Sequence, residues 1–535
     1  MRRNRNYPLY EREEYESLSQ MVCRKAEKCA DKIAFQYMRG KNIHSVTYQK
    51  YLENILVTGQ YLSEHYECRS HIAILGENSY QWLVVFMAAV MSGNVAVPLD
   101  KELDVTGIRD LLLRSDSAIC VYSDAYADIV QELAEDCPVK FLPMRVLEQE
   151  QKTVDANYAM LEKWNVLHTG NMAVLFFTSG TSGKSKGVML SQENIMEDIN
   201  AGCKNICLDG NTLVVLPFYH AFGLSTAVLA AFNHEHTIFI NSSLKNIKRD
   251  MLAAKPKLVM MVPLFVETFH KTIWNTAKNQ HKEKSLRFGM LLGNVLFRFG
   301  IDIREHLFRS ILEGFGGELK YIVCGGAALK EKYIREFRAF GIEILNAYGI
   351  TECSPGVTIN RNYFHKDNSA GPIIKGCEVR IKADITDSPC GEIQIRGKNV
   401  MLGYYQDEQA TKDAFDDGWF KTGDLGYIDE EGFLYITGRT KNLIILSNGE
   451  NVSPEELEGL LLDYELVKEV VVYAESEVIT AEIYPDPERS SDDIQKQLQD
   501  ILDACNRNLP VYKRIQKLKV RQEEFPKTTT QKIKR

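Results

Sequence analysis

Six short, continuous apolar segments recur in the first part of the chain, between longer stretches with helical patterning. The segments are HIAILG (71–76), AICVYS (118–123), AVLFFTS (173–179), TLVVLPF (212–218), KLVMMVP (257–263) and YIVCGG (321–326). A strand without polar alternation is covered on both faces, which is the usual environment of parallel strands that have helices on either side. The segments therefore predict an α/β protein.

The pattern changes after about residue 375 to short alternating strands, such as GEIQIRGKNVMLGYY (391–405) and GWFKTGDLGYIDEEGFLYITGR (418–439). The composition DEEG (429–432) is typical of a reverse turn between two strands. A smaller antiparallel sheet or barrel is therefore expected after the parallel part.

The C-terminal segment contains two helix patterns and two strand patterns: PEELEGLLLDY (454–464), EVVVYAE (469–475), VITAEIYPD (478–486) and DDIQKQLQDILDACNRNL (492–509). These patterns predict a compact α+β cap domain. A chain of 535 residues is expected to form several domains. We place the boundary near Gly438 to Lys441, which gives an N-terminal domain, 1–440, and a mobile C-terminal domain, 441–535.

The net charge of -8 argues against a nucleic-acid-binding protein, which usually carries a basic excess. The C-terminal tail from Val511 to Arg535 is different, because it holds nine basic residues against two glutamates. A solvated surface is the default interpretation of most of these charges. The alternatives are contacts with an anionic cofactor or with the acidic face of a carrier protein.

The twelve cysteines include no CxxC pair and no Cys/His cluster with zinc spacing, and no secretory signal is visible. We therefore expect a cytoplasmic protein without disulfides or a metal-binding cysteine set. The apolar run at 82–99 is interrupted by Ser92, Gly93, Asn94 and Pro98, so it predicts a buried helix, a turn and a strand rather than a membrane span.

The stretch FFTSGTSGKSKGVMLS (176–191) has the composition of a phosphate-binding loop. It is not a Walker A loop, because position 178 is Thr where that pattern requires Gly. The apolar run from Gly187 to Leu190 follows, and a helix start is visible only at Ser191. The loop is therefore expected to join two strands and to wrap phosphates with hydroxyls, backbone amides and Lys186.

The motif TSGTSGKSKG resembles the signature loop of the adenylate-forming superfamily, which includes acyl-CoA synthetases, luciferases and peptide-synthetase adenylation modules. Ser185 stands where that family usually has Pro. The resemblance extends over nearly the whole chain and is closest to long-chain fatty acyl-CoA synthetases. It implies two parallel α/β sheets and a small β-barrel in the large domain. It also implies that these residues bind the ATP phosphates: Thr178, Ser179, Gly180, Thr181, Ser182, Gly183 and Lys186.

Further motifs of the family follow in order. YGITE (348–352) resembles the element in which Tyr348 stacks on adenine, Thr351 contacts the α-phosphate and Glu352 binds Mg²⁺. An aromatic face suits a purine, and a carboxylate suits magnesium. The resemblance implies that the nucleotide also contacts the following residues: Gly325, Gly326, Ala327, Asn346, Ala347, Gly349, Asp424 and Arg439. Asp424 resembles the ribose anchor, and Arg439 the arginine that contacts ribose and phosphate.

Two lysines near the C-terminus complete the resemblance. Lys532 aligns with the catalytic lysine of the family, although Gln531 stands where the family usually has Gly. Lys441 aligns with the hinge about which the small domain turns between two half-reactions. Without the resemblance, Lys441 would be read as an exposed turn residue and Lys532 as one of nine solvated basic residues.

The segment VVLPFYHAFGLS (214–225) resembles the part of the family that opens the acyl pocket, with His220 as a gate beside the substrate carboxylate. No Asp or Glu lies between Leu213 and Phe232, so an acid without an amino group is favoured. Small residues are expected to leave room for an alkyl tail. They are Gly223, Gly326, Ala327 and Gly356.

The resemblance implies an ATP- and Mg²⁺-dependent ligase that forms an acyl-adenylate and then an acyl-CoA thioester. Two alternatives remain: an adenylating enzyme that loads a phosphopantetheinyl carrier protein, and a non-catalytic acyl or nucleotide sensor. The segment at 283–310 is apolar with interspersed arginines, which predicts either packing within the protein or contact with a membrane surface.

Overall fold

A computed structural model describes residues 6–164, 169–178, 185–207, 209–383, 390–446, 451–475, 478–489, 493–527 and 533. The chain divides into two compact units. Unit 1 comprises Met1–Glu378 and Arg396–Phe420, and unit 2 comprises Val379–Ile395 and Lys421–Arg535.

The larger sheet of unit 1 has eight strands, of which the six inner ones are parallel and the two outer ones antiparallel to their neighbours. In sheet order the strands are Gly356–Ile359, Glu343–Gly349, Tyr321–Cys324, Leu258–Met261, Thr212–Val214, Ile238–Ile240, Ile33–Arg39 and Asn42–Thr47. Leu213, Val259 and Ile322 are fully buried at its centre and pack with helix residues such as Phe337. Continuous apolar strands thus form the doubly covered sheet that their sequence predicts.

The second sheet of unit 1 has seven strands. In sheet order they are Gly403–Tyr404, Lys186–Ser191, Met172–Thr178, Val95–Pro98, His71–Leu75, Ser117–Tyr122 and Lys140–Pro143. The first two are antiparallel to their neighbours, and the rest are parallel. Ala73, Val97 and Cys120 form a buried cluster with helix residues Leu111 and Leu133.

Several helices of unit 1 begin at a side-chain cap that the sequence provides. Ser79 accepts from the backbone N–H of Trp82 at the start of a helix whose residues are all buried. The predicted buried helix, turn and strand at 82–99 are confirmed as Tyr80–Met91 and Val95–Pro98. Ser191 and Asn194 form a capping box at the predicted helix start.

The α-helices of unit 1 are Leu18–Lys28, Tyr48–His65, Tyr80–Met91, Val105–Arg114, Ala127–Leu133, Met144–Thr153, Ala159–Trp164, Gln192–Asn205, Ala230–Asn233, Ile247–Ala254, Pro263–Asn279, Glu283–Arg298, Arg304–Leu307, Arg309–Gly314, Glu331–Phe340 and Glu408–Ala414. A π-helix covers Phe222–Leu229. Among the described residues, no helix is both long enough and apolar enough to cross a membrane.

Unit 2 begins with antiparallel strands and continues with an α+β segment. Trp419–Ile428 pairs with Phe433–Arg439 across the predicted DEEG turn, in which the N–H of Gly432 donates to the carbonyl of Asp429 at 2.9 Å. Gly391–Gly397 and Cys377–Lys382 follow in the same sheet.

The C-terminal part has its own core around Val472, Ile483, Leu498 and Leu502. Its helices and strands are Ile444–Ile445, Asn451–Val452, Pro454–Leu462, Val467–Glu475, Val478–Pro485, Ile494–Arg507 and Lys517–Val520. The predicted α/β class is confirmed, as is the small α+β C-terminal fold. All twelve cysteines lie in the described residues, and none forms a disulfide.

Candidate active site

The predicted phosphate loop joins two antiparallel strands, as its sequence indicates. Thr178 and Lys186 are paired across these strands at the mouth of the loop. Arg114 donates to the carbonyl of Ser185, and its guanidinium lies 5.6 Å from the ring centroid of Phe177. These contacts hold both flanks of the loop. The residues predicted to form its tip lie outside the described residues, namely Ser179, Gly180, Thr181, Ser182 and Gly183.

One tyrosine connects the loop lysine to the acidic residue of the YGITE motif. The Lys186 ammonium lies 4.5 Å from the ring centroid of Tyr404, a cation–π distance. The Tyr404 hydroxyl donates to Oε1 of Glu352 at 3.0 Å. Tyr404 is held next to the loop because its strand pairs with Val188. The sequence predicts Lys186 and Glu352 as site residues, and in the structure both contact the side chain of Tyr404.

The hydroxyl of Tyr404 stays protonated in this position. The side chain is buried, with 8% of the residue exposed. Burial, and then the neighbouring Glu352 carboxylate, raise the pKa of Tyr404 well above its ordinary value. Tyr404 therefore remains a hydrogen-bond donor to Glu352 at neutral pH.

The backbone around Glu352 is fixed by residues from the 399–401 segment. The N–H of Met401 donates to the carbonyl of Glu352 at 2.8 Å. The side-chain amide of Asn399 donates to the carbonyls of Cys353 and Gly356 at 3.2 and 2.9 Å. Asn399 is 1% exposed, so these bonds are shielded from water. The turn that carries Thr351 and Glu352 is thereby held rigidly.

Close packing behind the turn excludes larger residues. A Cβ on Gly349 would lie 2.1 Å from the carbonyl oxygen of Pro355, and one on Gly356 would lie 2.2 Å from Oδ1 of Asp198. Asp198 is buried and accepts from the N–H of Gly356 at 3.1 Å. Burial raises the pKa of this carboxyl well above its ordinary value.

This packing corrects one sequence expectation. Gly223 and Gly356 were expected to leave room for an alkyl tail. A Cβ on Gly223 would lie 2.0 Å from the carbonyl oxygen of Pro217, and Gly356 meets Asp198. Both glycines are therefore required by close packing within the protein, Gly223 against a backbone carbonyl and Gly356 against the Asp198 side chain, rather than by a pocket. Gly326 and Ala327, the other two small residues of this expectation, are instead exposed to solvent after strand Tyr321–Cys324.

The residues predicted to line the adenine lie at the ends of two neighbouring parallel strands. Cys324 and Asn346 are paired, which places Gly325 beside Ala347. Gly326 has φ +85°, a conformation that glycine adopts without strain. The two chain segments thus form one edge with small residues, where a planar base can approach the backbone.

Asn346 and Tyr348 have different environments at this edge. The Asn346 amide donates to the carbonyls of Asp367 and Ser369 at 2.9 and 3.3 Å, so its side chain holds a neighbouring loop. Tyr348 is half-buried on the same strand and is paired with Thr358.

His220 lies in a turn whose geometry is set by other residues. The N–H of Phe218 donates to Asn78, and the Asn78 amide donates to the carbonyl of Leu216 at 2.8 Å. The His220 ring lies 4.6 Å from that of Tyr219. The π-helix that follows begins at Phe222, whose ring lies against Gly325. The predicted acyl segment and the predicted adenine edge are therefore in contact.

The two predicted ribose contacts of unit 2 form an ion pair. Asp424 and Arg439 are opposite each other on adjacent strands, and Arg439 Nε lies 2.7 Å from Asp424 Oδ1. The carboxylate side chain is 4% exposed, whereas 43% of the arginine side chain is exposed. The cation can thus reach a ligand while its partner stays fixed.

The predicted hinge residue Lys441 lies in the 3₁₀ turn Thr440–Asn442. Burial, and then the nearby Arg439 cation, lower the pKa of its ammonium. The predicted catalytic lysine, Lys532, lies outside the described residues.

Much of the basic tail is paired with acids of unit 2. Lys527 binds Glu469 and Glu524 at 2.6 and 3.0 Å, and Lys513 binds Glu456 at 2.7 Å. The other paired tail residues are Lys517, Lys519 and Arg521. These charges stabilise contacts within the unit, which leaves fewer of them for an external anion.

Sequence reasoning missed the residues that organise the site, namely Tyr404, Asn399 and Arg114. Tyr404 and Asn399 lie in NVMLGYY (399–405), whose alternation indicates only a strand. Arg114 ends an ordinary amphipathic helix. Unit 1 thus presents a loop flanked by Lys186 and Arg114, and a fixed carboxylate, that of Glu352, which Tyr404 connects to Lys186. Such a set suits a polyanion together with a hard divalent cation.

Comparison with known protein families agrees with this chemistry. The AMP-binding enzyme family matches residues 22–405, and the AMP-binding enzyme C-terminal domain matches residues 441–535. Two of the relatives are named as ligases. The long-chain-fatty-acid–CoA ligase FadD15 of Mycobacterium bovis is 30% identical over 446 residues, covering 78% of this chain and 73% of its own.

A 2-succinylbenzoate–CoA ligase of Bacillus cereus is 28% identical over 477 residues, covering 87% of this chain and 86% of its own. Among solved structures, the anthranilate–CoA ligase AuaEII in complex with anthranoyl-AMP superimposes with a TM-score of 0.79 at 18% identity. The match covers 98% of this chain and 96% of that one.

Proposed function

The chain belongs to the AMP-binding enzyme family and is an AMP-forming acid–thiol ligase, and on that premise we propose that it joins a fatty acid to coenzyme A. The reaction has two half-reactions. The carboxylate of the acid first attacks the α-phosphate of ATP and releases pyrophosphate. The thiol of coenzyme A then attacks the acyl-adenylate carbonyl and releases AMP.

The observation that carries the proposed mechanism is the connection of Lys186 to Glu352 through Tyr404. Attack of a carboxylate on a phosphate brings two anions together, so the main barrier is electrostatic. Lys186 supplies positive charge at the mouth of the loop. Glu352 is the carboxylate that would hold Mg²⁺, and Tyr404 fixes the distance between the two groups.

The oxygen ligands that the protein offers fit a magnesium ion that is held mainly by the phosphates of the nucleotide. Glu352 offers a hard oxygen ligand, and Thr351 offers a hydroxyl beside it. Among the described residues there is no cluster of three His, Cys, Asp or Glu side chains that could form a metal site by itself. Mg²⁺ commonly binds one or two carboxylates together with substrate phosphates. When bound, it neutralises charge on the phosphates.

The remaining nucleotide contacts are proposed from the family motifs in which these residues lie. Gly325, Gly326, Ala327, Ala347, Tyr348 and Gly349 form or flank the edge that would receive adenine. Asn346 is assigned to support this edge rather than to touch the base, because its amide holds the 367–369 loop. Asp424 would accept from the ribose hydroxyls, and Arg439 would contact ribose and phosphate.

The choice of a fatty acid rests on the segment around His220. This segment carries no acidic residue that could pair with a substrate ammonium. The FadD15 relative acts on long-chain fatty acids, while other relatives use aromatic acids. We assign His220 to the gate beside the substrate carboxylate, because its turn contacts the adenine edge through Phe222 and Gly325.

The second half-reaction is assigned to movement of the C-terminal domain, which we place at 441–535. Lys532 would contact the α-phosphate during adenylation and leave it before the thiol attacks. Lys441 would be the residue about which this movement occurs. We also propose a cytoplasmic location, because coenzyme A and ATP are supplied there and no cysteine is disulfide-bonded.

Exchange of labelled pyrophosphate into ATP tests adenylation directly. We expect exchange that depends on fatty acids across a panel of fatty, aromatic and amino acids. Exchange with aromatic acids alone would contradict the fatty-acid assignment, and no exchange with any acid would favour a sensor.

The Lys186→Met variant should lose roughly 100-fold of the exchange activity, because it removes the positive charge that stabilises the phosphates. The exposed Lys412 on helix Glu408–Ala414 provides the matched control, Lys412→Met.

The acceptor is tested separately. Coenzyme A and a phosphopantetheinyl carrier protein are compared as acceptors of the same acyl-adenylate. Faster transfer to coenzyme A is expected, and transfer only to the carrier would show that the chain is a loading enzyme.

A further inference from the structure

Helix Glu283–Arg298 and the turn after it present an apolar face to solvent. Phe288, Leu291 and Phe299 have exposed fractions of 65%, 63% and 78%. Val295 and Ile301 are also exposed. These five residues are called the apolar face below. Large apolar side chains that are exposed together, rather than singly, mark an interaction surface.

Packing on the opposite side of the helix fixes the apolar face outward. Cβ atoms built on Gly289 and Gly293 would lie 3.4 and 3.9 Å from the Phe308 ring, so the helix lies close to this buried residue. The Arg304 guanidinium lies 3.9 Å from the centroid of the Phe297 ring. The exposed residues recur at helical spacing, whereas Gly289, Gly293 and Phe297 lie against other residues of unit 1.

Basic side chains surround the apolar face. Residues 278–309 contain seven Lys or Arg against three Asp or Glu, in a chain whose net charge is -8. Lys284 and Arg298 are exposed on the helix itself. Asp302 pairs with Arg304 at 2.6 Å, which leaves six basic residues against two acidic ones. The region therefore carries a net positive charge, although the chain as a whole is negative.

We propose that the apolar face docks onto the surface of an anionic lipid bilayer. An amphipathic helix with aromatic and aliphatic residues on one face and basic residues around it binds in the headgroup region of a membrane. A second copy of this chain is a poorer partner, because the two basic surrounds would repel each other across the contact. The inference does not depend on the proposed substrate, since membrane binding is measured without turnover.

Flotation of the full chain with lipid vesicles tests the inference. Vesicles of phosphatidylcholine alone are compared with vesicles that also contain phosphatidylglycerol. We expect binding to the anionic vesicles, weakened when salt is raised from about 0.1 to about 1 M, because screening shortens the reach of surface charges. Absence of binding to the anionic vesicles would overturn the inference.

Variants locate the contact. The triple variant Phe288→Ser, Leu291→Ser and Phe299→Ser should bind anionic vesicles at least about tenfold more weakly, because it loses the side chains that enter the bilayer. The control is Leu244→Ser with Leu252→Ser, which removes two side chains of unit 1 that are exposed by 52% and 46%. The control should bind like the wild type. Equal binding by the triple variant would overturn the inference.

A further measurement uses a single substitution and gives a positive signal on binding, so it does not depend on whether the triple variant folds. Phe288→Trp should show a blue shift of its fluorescence when anionic vesicles are added, and no shift would contradict insertion. Sedimentation tests the competing partner. A dimer that the triple variant abolishes, without vesicle binding by the wild type, would assign the apolar face to a second copy instead.

Discussion

Replacing Tyr404 by Phe tests the connection between Lys186 and Glu352 with the smallest possible change. The variant removes the hydroxyl that donates to Glu352 at 3.0 Å and keeps the ring that lies 4.5 Å from the Lys186 ammonium. A hydrogen bond to a charged group contributes about 1.5–3 kcal/mol. At about 1.4 kcal/mol per factor of ten, the expected loss is roughly 10- to 150-fold in kcat/KM for adenylation.

The assay is pyrophosphate–ATP exchange measured over a range of Mg²⁺ concentrations. Because Glu352 is the proposed metal ligand, the loss should be largest at low Mg²⁺ and smaller when Mg²⁺ is saturating. Tyr404→Leu also removes the ring under Lys186, and a cation–π contact of about 0.5–2 kcal/mol should add a further loss.

Tyr405→Phe is the matched control. This neighbouring residue also donates its hydroxyl to a carboxylate, that of Asp116 at 2.8 Å, but on the exposed surface. It should exchange pyrophosphate like the wild type. If Tyr404→Phe stays within about twofold of the wild type at every Mg²⁺ concentration, the hydrogen bond does not position Glu352 and the reasoning is wrong.

Three further predictions concern the tail, the turn and a buried acid. Lys532→Ala should abolish adenylation but leave thioester formation from supplied acyl-adenylate largely intact, and equal loss of both would show that its role is different. Gly349→Ala should lower the free energy of unfolding by about 1–3 kcal/mol in urea titrations, because its Cβ would meet the Pro355 carbonyl at 2.1 Å; an unchanged midpoint would contradict the packing. Asp198 has a pKa raised by burial, so the folded state holds its proton more tightly than the unfolded state, and its contribution to stability is lost as pH rises from the ordinary carboxyl range through the raised folded pKa. Asp198→Asn should remove this part of the pH dependence of unfolding, and an unaltered pH profile would show that Asp198 is not its source.

The strands of the two large sheets were predictable where burial made them continuously apolar. HIAILG, AICVYS and YIVCGG became His71–Leu75, Ser117–Tyr122 and Tyr321–Cys324. TLVVLPF gave only Thr212–Val214, because the Asn78 side chain bonds the backbone at Leu216 and Phe218 in place of a neighbouring strand. A polar side chain from a distant segment thus ended a strand that local patterning extends.

The site was predictable in part, for the same reason. Lys186, Thr351 and Glu352 lie in motifs whose composition indicates phosphate and metal chemistry. Tyr404 is 52 residues from Glu352 and reaches it only because its strand pairs with Val188. Sequence patterns carry no information on such long-range pairing. The glycines show a second limit of the sequence. A glycine indicates that another group packs closely against it, but not whether that group is a ligand or part of the protein.

The most direct measurement of the central claim is a crystal structure with ATP and Mg²⁺ bound. We expect the β- and γ-phosphates between Thr178 and Lys186, the metal beside Glu352, and the Tyr404 hydroxyl still bonded to that carboxylate. A triphosphate bound elsewhere, with Lys186 and Glu352 making no contact to nucleotide or metal, would contradict the account.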